Sequence, residues 1–86
     1  MPDALPTRIC AIIRDELAAQ HWTRRYPDIE PDTMLADVDC DPLDRLCITC
    51  ALDEAFGTAI PDSALEGWES VGDVVATVRE LVGEAA

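Results

Sequence analysis

Four cysteines, one histidine and a scatter of carboxylates carry most of the chemistry open to this 86-residue chain. Cys47 and Cys50 stand three apart, a spacing that puts both on one face of a helix. Two thiols so placed can form part of a metal site or respond to an oxidant. A tetrahedral zinc site needs further ligands, and Cys10, Cys40, His21 and the carboxylates follow no recognised zinc spacing. The expectation is no metal, with Cys47 and Cys50 as partly buried small apolar residues.

Cys40 lies just before a helix start, which lowers a thiol's pKa. Asp37, Asp39, Asp41 and Asp44 oppose this, because the dipole amounts to only about half a positive charge against several carboxylates. The Cys40 thiol is therefore expected to stay protonated. His21 has no serine or cysteine pattern suggesting a triad, and at the end of a helix it can favour the negative end of the dipole. No acid, base and nucleophile are assembled, so the chain reads as no enzyme, with no catalytic residue.

Eighteen Asp and Glu against six basic residues give a formal charge of −12. Such a surface disfavours nucleic acid and anionic membranes and attracts basic protein patches. All six basic residues are Arg, which excludes lysine ε-amine chemistry. The 49% hydrophobic and 28% charged fractions fit a folded chain. Its length suits one domain, residues 1–86, too small for a deep catalytic pocket. No run of about 18 apolar residues and no signal-like stretch is present, so the expectation is a cytoplasmic protein with reduced thiols. High like charge keeps copies apart, which favours a monomer.

Helices must position these groups. Leu5, Ile9, Ile12, Ile13 and Leu17 share one face of a first helix, about Leu5 to Gln20. The stretch from His21 to Asp41 has no clean period and contains Pro27 and Pro31, so it reads as a long connection, anchored by Trp22, Tyr26, Met34, Leu35 and Val38. Asp41 can cap a second helix, with Pro42 at its first position and Asp44 at its third. Leu43, Leu46, Ile48, Ala51, Leu52 and Phe56 form its apolar side, and Gly57 stops it. Ile60, Pro61 and Asp62 lead into a short segment, Ser63 to Gly67, and Trp68 closes over the core. Ser70 and Asp73 make a capping-box-like pair before a last helix carrying Val71, Val74, Val75, Val78, Leu81 and Val82.

The run Thr33-Met-Leu-Ala-Asp-Val-Asp-Cys-Asp-Pro-Leu-Asp44 resembles the loop-to-helix signature of acyl carrier proteins, in which Asp-Ser-Leu-(Asp/Glu) opens the second helix. The likeness continues through Ala51-Leu52-Asp53-Glu54-Ala55-Phe56, then Ile60-Pro61-Asp62, then Ser70-Val71-Gly72-Asp73-Val74, and so covers essentially the whole chain. It implies an all-α fold: an acyl-carrier-protein-like bundle of three main helices plus one short helix, with a long first loop.

In that family the serine holds a 4'-phosphopantetheine arm, and the resemblance places Pro42 at its position. Proline has no nucleophilic atom to offer, and the only serines are Ser63 and Ser70. The expectation is no phosphopantetheine cofactor and a non-carrier docking or regulatory partner of fatty-acid, polyketide or related acyl-transfer enzymes. The partner-docking residues so implied are Asp41, Leu43, Asp44, Leu46, Cys47, Cys50, Asp53 and Glu54. The resemblance implies that Arg and Lys patches on the enzymes meet these acids, and such a field speeds encounter more than it deepens affinity. Three alternatives stand beside this: a genuine carrier modified at another residue, a thiol-based redox or metal-responsive protein using Cys47 and Cys50, and an acidic face that is merely solvated.

Overall fold

The computed structural model describes residues 4–21 and 28–83. Trp22 and Tyr26, two of the expected loop anchors, lie outside the described residues. Among the described residues the order is α1 (Leu5–Gln20), a 3-10 turn (Leu35–Val38), α2 (Pro42–Phe56), α3 (Asp62–Gly67) and α4 (Val71–Leu81). The all-α bundle expected from the sequence is thus present, with α1 against both α2 and α4, and α3 against α2 and α4.

Each helix boundary has a local cause. Pro6 sits in the first turn of α1, where its missing N–H breaks no intrahelical bond. Both longer later helices begin with a reciprocal capping box, Asp41 with Asp44 in α2 and Ser70 with Asp73 in α4. Gly57 ends α2 in the left-handed conformation at φ 66°, with its N–H on the Asp53 carbonyl, a geometry that glycine adopts without a Cβ penalty.

The core joins Ile9, Ile13 and Leu17 of α1, Ile48 and Leu52 of α2, Leu65 of α3, and Val71, Val74 and Val78 of α4. Leu35 and Val38 of the 3-10 turn and Trp68 after α3 close it, and the Trp68 indole donates to Thr77 Oγ1 at 2.9 Å. The long connection is pinned beside α4 by two backbone bonds, Leu35 N to Glu69 O and Val71 N to Thr33 O, both 2.9 Å. An added Cβ on Gly72 would stand 3.1 Å from the Pro31 carbonyl oxygen, so this glycine permits the close approach.

Several residues of the expected apolar faces lie outside the core. Leu43 and Leu46 of α2 are 61% and 49% exposed, and Met34, Leu81 and Val82 are also exposed. In α2 the inward row is Asp44, Ile48 and Leu52, spaced by four, joined by Thr49. Leu43 and Leu46 fall on either side of that row and turn outward for geometric reasons, whatever their hydropathy. Leu81 and Val82 lie at the end of α4, beyond the reach of α1 and α3 cover.

Candidate functional site

The first turn of α2 organises the site. Asp41 Oδ1 accepts from the Asp44 N–H at 2.8 Å, and Asp44 Oδ2 accepts from the Asp41 N–H at 3.2 Å. Pro42 occupies the first helical position and is exposed. Its ring therefore costs no hydrogen bond and sets φ for helix entry.

Asp44 departs from expectation. Its side chain is 2% exposed, and His21 Nε2–H donates to both carboxylate oxygens at 3.0 and 2.9 Å. A carboxylate this deep requires such a partner, because desolvating an unpaired charge is costly. The expectation of Asp44 as a surface acid is corrected: it ties the end of α1 to the start of α2. His21 has a structural role as expected, but its ring serves Asp44. His21, Asp41 and Asp44 offer ligand atoms within 4.8 Å of one another, the one metal-compatible group of three among the described residues. Each is already used in building the α2 start.

Arg45 is a brace. Its guanidinium donates from Nη1 to the carbonyls of Leu65 and Trp68 at 2.8 and 2.7 Å, fastening the exit of α3 to α2. Asp53 likewise has internal work: Oδ1 accepts from Thr58 Oγ1 at 2.8 Å and Ile60 N at 3.0 Å, which shapes the turn after Gly57. Neither role had a motif to announce it, since the partners lie beyond α2.

Most of the other expected docking residues face water. Asp41, Leu43, Leu46, Cys50 and Glu54 are exposed, and Cys47 is half-buried with the Gln20 amide donating to its sulfur at 3.4 Å. The reading of two partly buried thiols thus holds for Cys47 and fails for Cys50, which stands in solvent. Between α2 and α3 opens a cleft of about 530 Å³. Cys40, Pro42, Arg45 and Leu46 form one wall, and Asp62, Leu65 and Glu66 the other.

The Cys40 thiol is pushed up to about 11, first by burial, then by the Asp44 charge, with Arg45 easing it and Asp41 adding to it. It is protonated at neutral pH, as expected. Burial leads, whereas the sequence pointed to carboxylates alone. The serines are elsewhere: Ser70 Oγ accepts from the Asp73 N–H at 3.3 Å, and Ser63 is exposed in the first turn of α3.

Residues 7–78 match the family described as "Phosphopantetheine attachment site". A protein named "Acyl carrier protein" from Prochlorococcus marinus (strain MIT 9515) is 31% identical over 77 residues, covering 88% of this chain and 90% of that protein. The chain belongs to the acyl carrier protein family. A second relative, "Acyl carrier protein 2, chloroplastic" from Hordeum vulgare, is 29% identical over 77 residues, or 90% of this chain and 57% of that protein. No solved structure matches the chain. Acyl carrier proteins are carriers and not enzymes. Among the described residues no helix is long and apolar enough to cross a membrane.

Proposed function

We propose that this member of the acyl carrier protein family carries nothing through the start of α2 and acts instead as a docking or regulatory partner of acyl-transfer enzymes. Pro42 is the observation that supports this most strongly. It stands exposed at the first position of α2, inside an intact capping box, and offers no hydroxyl for a phosphodiester. Residues nearby do not substitute. Cys40 is a protonated thiol whose pKa lies near 11, and the Ser70 hydroxyl is engaged in the α4 cap. A phosphopantetheine group does not fit this donor set.

The docking face is α2 together with the residues just before it. Asp41, Leu43, Leu46, Cys47, Cys50 and Glu54 make an acidic surface with two exposed leucines, and Asp53 lies at its edge. That combination suits a basic enzyme patch surrounding an apolar pocket, since charge steers the approach and buried apolar area holds the complex. Asp44 acts only through the helix that it anchors. The partner enzymes are of the fatty-acid, polyketide or related class, and the protein works as a cytoplasmic monomer.

Intact mass after incubation with coenzyme A and a broad-specificity phosphopantetheinyl transferase tests the reading. The native chain is expected to gain no mass, while Pro42→Ser gains one phosphopantetheine, showing that the transferase still recognises the α2 face. Added mass on the native chain would overturn the proposal and direct attention to Ser63, whose hydroxyl is on an exposed residue.

A further inference from the structure

Cysteine is among the most buried residue types, yet Cys50 stands in solvent in the middle of α2, where it gains little from packing. Cys47 lies one turn before it on the same face of α2. The Gln20 amide reaches across from α1 to place an N–H on the Cys47 sulfur at 3.4 Å. Glu54 continues the face one turn beyond Cys50 and is exposed, and the whole chain carries −12. Two soft donors and a positioned N–H therefore converge on one face of α2.

We propose that Cys47 and Cys50 form a chelating site for a soft, thiophilic cation of the cuprous type, and that they do not form a structural disulfide. Helix geometry separates the two chemistries. Residues three apart on a helix hold their Cβ atoms about 5–6 Å apart, whereas a disulfide needs about 3.5–4.5 Å. Residues 47 and 50 have α2 continuing on both sides, so closing that gap would distort a helix anchored at both ends. A metal atom between the sulfurs spans the gap without distortion. Thiolates take copper(I), zinc and iron–sulfur clusters, and of these copper(I) is satisfied by two sulfur ligands where zinc requires four ligands.

Binding breaks two S–H bonds, forms two S–Cu bonds and releases two protons to water, with no change of oxidation state. The Gln20 N–H stabilises the charge left on the Cys47 sulfur, in the manner of outer hydrogen bonds at other metal centres. The site stands whether or not α2 docks on an enzyme. It also leaves the His21–Asp44 pair undisturbed.

Anaerobic titration of the reduced full chain with copper(I) held by bicinchoninate tests the proposal. The native chain is expected to withdraw about one copper ion, with Cys47→Ser and Cys50→Ser each about 100-fold weaker through loss of the second tether. Alkylation followed by peptide mapping should show copper protecting Cys47 and Cys50. No withdrawal of copper, unchanged affinity in either serine variant, or protection of Cys10 and Cys40 instead would overturn it. Peroxide that closes a Cys47–Cys50 disulfide faster than it oxidises Cys50 alone would overturn the geometric exclusion.

Discussion

The two capping boxes use one device for different ends. At α4, Ser70 and Asp73 bond each other's N–H groups on an exposed turn, and Asp73 also accepts from the Glu69 N–H at 2.9 Å. At α2, Asp41 and Asp44 do the same, but Asp44 is buried and carries a second allegiance to His21, 23 positions earlier in the chain. The α4 box is a local stop signal. The α2 box is a joint between helices. A cap can therefore be equally clear in two places and differ greatly in what its loss would undo.

Asp44→Ala should produce the largest effect, because it removes the return bond to the Asp41 N–H and the buried carboxylate that His21 holds. A loss of about 3–4 kcal/mol in urea unfolding is expected, in the range for breaking a buried pair. His21→Ala should cost slightly less, about 2–3 kcal/mol, since Asp44 keeps its bond to the Asp41 N–H. A double-mutant cycle should return strong coupling between the two, and additive losses would dissolve the distinction between the joint and the local cap.

Arg45→Met comes next. It leaves the Leu65 and Trp68 carbonyls without their donor and should cost about 2 kcal/mol while loosening α3 from α2. Hydrogen exchange should then rise in α3 before it rises in α4. The α4 cap is the weak member of the series: Ser70→Ala should cost about 1 kcal/mol. If it matched Asp44→Ala, the two boxes would not differ as argued.

Acid titration sharpens the same contrast at its small end. Hydrogen bonds from the Glu69 and Ser70 N–H groups hold Asp73 below the usual carboxylate range. Its contribution is present above the unfolded value of about 3.9 and is lost as pH falls through the lower folded value. Asp73→Asn should therefore flatten the stability curve only below about pH 4. Because the group is on the surface, the change should be small and reduced by salt.

Much of the fold was legible because its signals are local. Asp41-Pro42 and Ser70 mark helix starts, Gly57 marks a stop, and the spacing Leu5, Ile9, Ile13, Leu17 marks a buried face, each through contacts within a few residues. The site was legible in part. Pro42, the acidic residues and the cysteine pair could be read directly, but the inward face of α2 could not. Leu43 and Leu46 look like core by hydropathy, whereas the inward row begins with a carboxylate. Periodicity misleads when a helix has apolar residues on more than one face, because only its neighbours decide which face is covered.

What the sequence by itself determined is the set of helices, their limits, the charge of −12 and the proline at the first position of α2. Those follow from backbone propensities and side-chain chemistry, which are properties of each residue and its near neighbours. Only the tertiary structure decided that Asp44 points inward to His21, that Arg45 braces α3, and that Leu43, Leu46 and Cys50 face water. Each of these joins or separates segments distant in the chain, and a buried charge becomes tolerable only when packing brings its partner to it.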